Sequence, residues 1–325
     1  MIKVSVGTAD VLGLKRLKTD APPTTAYLLS GDKCLHDCAF CPQARNSSGR
    51  ADMLSRIIWP EYQMCGVAKS IGEAYEKKTL KRTCLQVVNN RESLAKAIEL
   101  MNDIKQEAEI PVCVSCNLTD PKEAVELVAK GADRIGLSLD AACERIYREA
   151  KGDSWSKRLR LIEEAANMLP GKISTHLIVG LGETEEEMAD MMAYMVSLGV
   201  TVGLFAFTPV KGTRYQDRKP PHLGQYRRMQ TALFLLEHKH VDRDQLKFNE
   251  GRLTSFGLSD GELGRLLNDG KAFETSGCPD CNRPYYNEKP GGAMYNYPRA
   301  LTENEVAEAL ALLGIVKERL KCSGV

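Results

Sequence analysis

The sequence predicts an α/β protein in which parallel strands form a full or partial (βα) barrel of the TIM type. Short apolar runs alternate with helical patterns along most of the 325 residues, and such repeats are typical of a parallel sheet covered by helices. The length is also normal for one barrel of this kind. Because the reactive residues of such barrels lie at the carboxyl ends of the strands, we expect the chemistry there.

Six short apolar runs fit buried parallel strands, and two weaker runs follow them. The six are residues 24–30, 83–88, 111–115, 134–139, 173–179 and 201–207, and the weaker two are 245–248 and 272–275. These runs predict three parts of the chain, which are an N-terminal extension (1–23), a barrel (24–275) and a C-terminal C-x2-C segment with a helix (276–325). We expect the third part to be a small cysteine-containing cap.

Helix signals lie between the runs. Asp120 is expected to cap a helix that has Pro121 at its first position and Gly131 just past its end. Two capping boxes start further helices, and they are Thr184 with Glu187 and Thr302 with Glu305. The first of these helices carries a methionine stripe that we interpret as core, made of Met188, Met191, Met192 and Met195. The second carries Val306, Leu310, Leu313 and Leu320.

The composition is that of a soluble globular protein, with 43% apolar residues, 27% charged residues and a net charge of +1. A charge this close to neutral does not predict binding to nucleic acid or to an anionic membrane. The N-terminus lacks the apolar run of a signal peptide, and no segment approaches the roughly 18 apolar residues of a membrane helix. We therefore expect a cytoplasmic protein whose eleven cysteines are metal ligands and buried thiols.

Three cysteines directly follow the first apolar run. Cys34, Cys38 and Cys41 have the spacing C-x3-C-x2-C. Thiolates are the usual ligands of iron–sulfur clusters, and three of them leave one iron of a [4Fe–4S] cluster open to a small molecule. A structural zinc site is the alternative, but it normally takes four ligands in two pairs, and His36 lies inside the first loop of the triplet.

The triplet resembles that of the radical SAM enzymes. In that family the open iron chelates S-adenosylmethionine (SAM), and reduction of the cluster cleaves SAM to a radical that abstracts a hydrogen atom. The resemblance implies a one-electron donor of the ferredoxin or flavodoxin type. It also implies that Phe40, just before the third cysteine, lies beside the adenine of SAM.

Further motifs resemble the biotin synthase and lipoyl synthase branch of this family over about residues 24–281. The stretch 179–184 is similar to a turn whose backbone borders the adenine, which implies contacts from Gly180, Gly182 and Glu183. The stretch 136–140 is similar to a strand that directs polar residues toward SAM and substrate, with Asp140 matching and Ser138 replacing an asparagine. Arg158 matches an arginine near the SAM carboxylate, and its alternative is a solvated helix residue.

Both known activities of this branch insert sulfur into unactivated C–H bonds and use a second iron–sulfur cluster as sulfur donor. Cys84 and Cys113 match two of the three cysteine positions in biotin synthase, but Ser174 and Lys247 stand at its third cysteine and its arginine. This chain instead has two C-x2-C pairs, Cys278 with Cys281 and Cys113 with Cys116. We expect an auxiliary cluster that uses Cys278 and Cys281, with Cys113, Cys116 and Cys84 as further candidates. A zinc knuckle that holds the cap, and a Cys113 that only packs, remain alternatives.

The tail from residue 278 to 299 resembles that of the split, two-protein lipoyl synthases. That likeness implies an octanoyl chain on a lipoyl carrier protein as substrate and a second radical SAM protein as partner. The first hypothesis is therefore a sulfur-inserting radical SAM enzyme. A radical SAM enzyme for another small molecule, with the C-x2-C pair in electron transfer or structure, is the second. A non-catalytic iron–sulfur or zinc-binding protein is the third, and absence of SAM binding would favour it.

Overall fold

Six parallel strands form the centre of the computed structural model, which describes residues 1–288 and 291–313. The strands in chain order are β1 (Ile2–Val4), β2 (Thr25–Ser30), β3 (Met53–Leu54), β4 (Ile57–Ile58), β5 (Glu61–Tyr62), β6 (Arg82–Val87), β7 (Val112–Ser115), β8 (Arg134–Gly136), β9 (Ile173–Val179), β10 (Thr201–Ala206), β11 (Lys247–Asn249) and β12 (Arg252–Ser255). The large sheet has the order β10-β9-β8-β7-β6-β2-β1-β5.

The helices cover this sheet. They are α1 (Val6–Val11), α2 (Met64–Glu76), α3 (Ser93–Glu107), α4 (Pro121–Ala129), α5 (Glu144–Lys151), α6 (Trp155–Met168), α7 (Glu185–Ser197), α8 (Leu223–Glu237), α9 (Asp260–Leu267) and α10 (Glu303–Ala311), with short 3₁₀ turns at Arg243–Gln245 and Lys271–Phe273. No helix among residues 1–288 and 291–313 is long and apolar enough to cross a membrane.

The fold class is confirmed as a partial barrel. Strands β2, β6, β7, β8, β9 and β10 pair in parallel, and each of the six matches one of the stronger apolar runs. The sheet stays open because β10 is at one edge and the antiparallel strands β1 and β5 are at the other. Strand β1 extends the sheet from within the N-terminal extension, a strand that the apolar runs did not indicate.

Local helix signals are confirmed where the structure describes them. Asp120 caps α4 by accepting from the N–H of Lys122, and capping boxes open α7 and α10 as predicted. The four methionines of α7 are buried in the core. Of the last helix, α10 includes Val306 and Leu310, whereas Leu320 lies outside the described residues.

The two weaker runs are not barrel strands, and that part of the prediction is wrong. Residues 247–249 pair with β12 in a separate hairpin, turned by Glu250 and Gly251 with φ of 49° and 75°. Two residues with positive φ form the turn type that suits a tight hairpin. Residues 271–273 form a 3₁₀ turn. The first run is largely exposed and the second is too short, so neither can replace a buried parallel strand.

Residues 276–287, which we call the closing segment, bridge the open side of the barrel. On the β10 side, Ser276 Oγ accepts from the N–H of Leu204 at 2.9 Å, and Asn287 Nδ2 donates to the carbonyl of Ala206 at 2.7 Å. On the β2 side, Thr25 Oγ1 donates to the carbonyl of Asp280 at 3.1 Å. The closing segment therefore lies where additional strands would close a full barrel.

Candidate active site

The loop with Cys34, Cys38 and Cys41 begins four residues after β2 ends and is held by backbone hydrogen bonds. The N–H of Cys34 donates to Gln43 at 2.8 Å, and that of Leu35 donates to Asn89 at 2.9 Å. All three thiols are half-buried. The loop thus has a defined path at the carboxyl end of the parallel strands, where barrels place their chemistry.

Burial keeps the thiols of Cys38 and Cys41 protonated in the metal-free protein. It raises the pKa of Cys38 to about 11 and the pKa of Cys41 to about 12, because a low-dielectric environment disfavours the thiolate. Metal ligation requires the thiolate, so loading this loop would release protons.

A cavity of about 200 Å³ lies against the triplet and brings several predicted residues together. It is lined by the three cysteines and also by Phe40, Cys116, Ser138, Asp140 and Arg158. These side chains come from the loops after β2, β7 and β8 and from α6. We call this the upper cavity, and it is where a ligand of the triplet would lie.

A lysine that the sequence did not single out joins the upper cavity. Lys151 Nζ lies 2.5 Å from Asp140 Oδ2 and 3.2 Å from the carbonyl of Ser138, and this carbonyl also accepts from Arg158 Nε at 3.0 Å. Burial lowers the pKa of Lys151, but the negative charge of Asp140 outweighs burial and raises it. Nothing in the sequence distinguishes this lysine from other helix-terminal lysines, since its partner comes from a different element.

The glycine turn after β9 lies apart from the residues that line the upper cavity. Its Glu183 carboxylate accepts from the N–H groups of Gly180 at 2.6 Å and Leu181 at 2.9 Å. Gly180 and Gly182 have φ of 100° and 117°, and a side chain on Gly180 would come within 2.9 Å of Pro221. The turn is therefore closed by its own glutamate and packed on the loop before α8, and its contact with SAM stays a prediction.

A second cavity, also about 200 Å³, lies inside the barrel and is called the barrel cavity. Cys84 and Cys113 occupy paired positions on β6 and β7, and Cys278 and Cys281 of the closing segment complete the group that lines the cavity. The sulfurs of Cys113 and Cys278 are 3.6 Å apart, and Cys281 Sγ lies 3.4 Å from Tyr27 Oη.

Cys116 does not join this group. It lines the upper cavity instead, because it follows Cys113 by three residues toward the carboxyl end of β7, a rise of about 10 Å. The structure therefore brings Cys278 and Cys281 together with Cys84 and Cys113. It separates the two cysteines of the second C-x2-C pair.

Charged groups surround the four thiols. The hydrogen bond from the Cys113 thiol lowers the pKa of Cys278, and the Arg82 guanidinium lowers it further. Arg82 Nη1 lies 2.9 Å from Cys113 Sγ and 2.7 Å from an oxygen of Asp133. Lys247, which stands at the arginine position of biotin synthase, is exposed in the β11–β12 hairpin and does not line the barrel cavity.

Arg283 lines the barrel cavity and was missed at the sequence level. Its guanidinium lies 3.9 Å from the centre of the Phe205 ring and donates to the carbonyl of Ser276 at 2.7 Å. Its Nε and the hydroxyl of Tyr286 are buried and find no hydrogen-bond partner among the described residues. The signal that could have found Arg283 is its position two residues after Cys281 in the C-x2-C motif.

The donor set of the barrel cavity fits an anionic, thiolate-bound group. Four thiols line it, and two buried donors, Arg283 Nε and Tyr286 Oη, are free to pair with such a group. Buried donors normally have partners, so their presence beside the thiols indicates room for a ligand. As the side chains stand, no three His, Cys, Asp or Glu residues in the described ranges could hold a single metal ion.

A family model described as the radical SAM superfamily matches residues 28–195, which include the triplet and strands β6 to β9. The chain belongs to the radical SAM superfamily. Its cofactors are accordingly a [4Fe–4S] cluster and SAM. Cys34, Cys38 and Cys41 line one cavity together and would hold the cluster.

The curated relatives that this radical SAM protein resembles include several biotin synthases. A biotin synthase of Magnetococcus marinus is 30% identical over 169 residues, which cover 51% of this chain and 50% of the relative. A biotin synthase of Sulfurihydrogenibium is 23% identical over 189 residues, covering 57% and 55% respectively. The chain spans about half the length of the curated relatives it matches.

A solved structure shows the same fold. The FeFe-hydrogenase maturase HydG from Carboxydothermus hydrogenoformans is similar with a TM-score of 0.53 and 17% identity, over 67% of this chain and 52% of that one. At this identity the likeness concerns the fold alone.

Proposed function

We propose that this radical SAM enzyme inserts sulfur into an unactivated C–H bond, with a second iron–sulfur cluster on Cys84, Cys113, Cys278 and Cys281 as the sulfur source. One observation carries the proposal. The barrel cavity that these four cysteines line is also lined by Phe40 and Cys41 of the triplet loop. A substrate in this cavity would lie between the source of the radical and the source of the sulfur.

The chain's own residues define two binding regions for the cofactors. Cys34, Cys38 and Cys41 would hold the first cluster, and the upper cavity beside them would take SAM. When bound, these cofactors supply the radical that removes a hydrogen atom, and the second cluster supplies the sulfur.

Phe40, Ser138, Asp140 and Arg158 are proposed to contact SAM, together with the turn residues Gly180, Gly182 and Glu183. Lys151 positions this group, because it neutralises Asp140 and, with Arg158, holds the carbonyl of Ser138.

The wall of the barrel cavity suits an alkyl chain. Ile178, Phe205 and Phe207 line it on the β9 and β10 side, and Leu54 contributes from β3. An apolar wall keeps water from a reactive carbon centre and aligns a flexible chain through contact alone. An octanoyl chain on a lipoyl carrier protein is therefore the proposed substrate, supported by the likeness of the tail to the split lipoyl synthases.

The charges around the four thiols support a cluster there. Arg82 contacts Cys113 directly, and Arg283 lies on Phe205 in the same cavity. Two guanidinium groups offset the negative charge that thiolates bring to a buried site. A ferredoxin or flavodoxin would supply electrons, and a second radical SAM protein is the proposed partner for the other sulfur.

The test compares the double variant Cys278→Ala/Cys281→Ala with wild type. Both proteins are reconstituted anaerobically with iron and sulfide, reduced, and given SAM with an octanoyl-lysyl carrier peptide. The wild type should add sulfur to the peptide and form 5′-deoxyadenosine, read by mass spectrometry and chromatography. The double variant should form 5′-deoxyadenosine without adding sulfur.

Cys65→Ala is the matched control, because Cys65 is exposed on α2, and it should behave as wild type. A double variant that still adds sulfur would exclude the closing-segment thiols as ligands of the sulfur source. Failure of every protein to cleave SAM would instead show that reconstitution did not succeed at the triplet.

A further inference from the structure

The turn from Gly277 to Asn282 separates two cavities. On one side is the barrel cavity, and on the other is a cavity of about 410 Å³ that we call the outer cavity. Cys278 and Cys281 line both of them. The wall between the two is thus a single turn of backbone that carries two of the four cysteines.

The outer cavity lies at the opposite end of the barrel from the triplet. Thr24 and Lys81, which directly precede β2 and β6, line it, so it lies at the amino ends of the parallel strands. The triplet follows the carboxyl end of β2. The four-cysteine group is therefore approached from two ends, through the SAM region at one and through the outer cavity at the other.

We propose that the outer cavity is a second entrance, through which iron(II) and sulfide ions reach the four-cysteine group. This inference rests on the proposed function. Each sulfur atom that the substrate gains is one that the second cluster loses, so sulfide must be replaced between turnovers. Bound SAM and substrate would cover the four-cysteine group on the side of the triplet. Ions in the outer cavity would reach Cys278 and Cys281 without passing through the binding region of either ligand.

The residues that line the two cavities suit different molecules. The barrel cavity has aromatic and aliphatic residues on its β9 and β10 side, which suit an alkyl chain, and guanidinium groups only beside the thiols. The outer cavity carries both signs of charge, from Lys81, Lys271, Glu274 and Asp280. Carboxylates attract iron(II) and ammonium groups attract sulfide, so small ions of either charge are drawn there.

The wall is held in place by a few contacts that leave the outer cavity open. Thr24 Oγ1 donates to the carbonyl of Asp280 at 2.6 Å, and Arg82 Nε donates to that of Pro279 at 2.9 Å. Lys81 Nζ lies 2.8 Å from Asp280 Oδ1 on the rim. These bonds use the backbone and the rim of the wall, while the thiols of Cys278 and Cys281 contact Cys113 and Tyr27 on the side of the barrel cavity.

The first experiment measures access in the metal-free full chain. Cys278 and Cys281 are alkylated with N-ethylmaleimide, and the rate at each cysteine is read by peptide mass spectrometry. Glu274→Trp fills the outer cavity from the 3₁₀ turn side, and Glu274→Gln is the matched control of unchanged size. The Trp variant should slow alkylation of Cys278 and Cys281 at least about tenfold, which equals an added opening cost of about 1.4 kcal/mol. Alkylation of Cys34 should be unchanged.

The same alkylation rates are measured for Lys81→Trp, which fills the outer cavity from the opposite rim, with Lys81→Met as its control. This second pair keeps the test valid if one Trp variant misfolds. Circular dichroism checks the fold of all four. Equal alkylation rates in both Trp variants and their controls would overturn the second entrance.

The second experiment measures loading. In a Cys34→Ser/Cys38→Ser/Cys41→Ser background, iron(II) and sulfide are added and the cluster absorption is followed over time. Glu274→Trp should slow its appearance relative to Glu274→Gln, whereas loading of the triplet in the Cys278→Ala/Cys281→Ala background should not change. If alkylation is slowed but no cluster forms in the Cys34→Ser/Cys38→Ser/Cys41→Ser background, the second entrance is supported and the proposed sulfur source is rejected. Equal loading rates for the Trp and Gln variants would reject the entrance as a route for the ions.

Discussion

The sulfur of Cys113 lies 3.6 Å from the sulfur of Cys278, although 165 positions separate the two residues along the chain. The contact exists because the closing segment crosses the open side of the barrel and faces β7 from across the cavity. It connects a cysteine of the central sheet to the C-terminal C-x2-C motif. A second cluster held by these thiols would therefore link the closing segment to the central sheet.

Cys113→Ala should reduce the iron content of the reconstituted protein to that of the triplet cluster alone, because it removes a thiol from the four-cysteine group. Cys116→Ala should keep the second cluster, since Cys116 lines the upper cavity. Iron analysis and Mössbauer spectra of both variants check this. Loss of the second cluster in Cys116→Ala but not in Cys113→Ala would reverse the ligand assignment.

Lys151→Met should destabilise the protein, because it leaves the Asp140 carboxylate unpaired in a nearly buried position. Their side chains are 9% and 12% exposed, and breaking such a pair costs about 3–5 kcal/mol. The free energy of unfolding of the metal-free protein, measured by denaturant titration, is the readout. Lys151→Met/Asp140→Asn removes both charges and should recover most of the loss. A Lys151→Met protein as stable as wild type would show that this pair contributes nothing.

His176 should make the stability fall in mild acid. Burial lowers its pKa to about 4, whereas histidine in an unfolded chain titrates near 6.5. Between these two pH values the unfolded chain binds more protons, so the free energy of unfolding decreases as the pH drops from about 6.5 to about 4. The loss attributable to His176 is roughly 2–3 kcal/mol.

His176→Phe should flatten this part of the profile, measured by denaturant titration of the metal-free protein at several pH values. His240→Phe is the control, because His240 is exposed after α8, and it should keep the wild-type slope. An unchanged slope in His176→Phe would mean that other groups dominate the titration.

Tyr27→Phe should loosen the closing segment. The Tyr27 hydroxyl accepts from the N–H of Arg283 at 2.8 Å and contacts Cys281, so its removal leaves a buried N–H unpaired, at a cost of about 1–3 kcal/mol. Faster amide hydrogen exchange at Arg283 and its neighbours is the expected result. Tyr75→Phe, which removes a hydroxyl from α2, should leave that exchange unchanged, and equal protection in both variants would contradict the prediction.

The sequence by itself determined the features that depend on neighbouring residues. The six parallel strands, the capping boxes of α7 and α10 and the cysteine triplet all follow from patterns a few residues long. The weaker apolar run at residues 245–248 shows the limit of such patterns. A short apolar run there resembles a strand, but its hydrogen-bond partner is β12 rather than the barrel.

Only the tertiary structure decided which distant side chains share a cavity. Cys113 and Cys116 form a C-x2-C pair in the sequence, yet a rise of three strand residues sends them to different cavities. Lys151 lies in the upper cavity because α5 packs against the loop after β8. Arg283 lies in the barrel cavity because the closing segment crosses from β10 to β2. Such contacts depend on how whole elements pack against one another, and no local pattern encodes that packing.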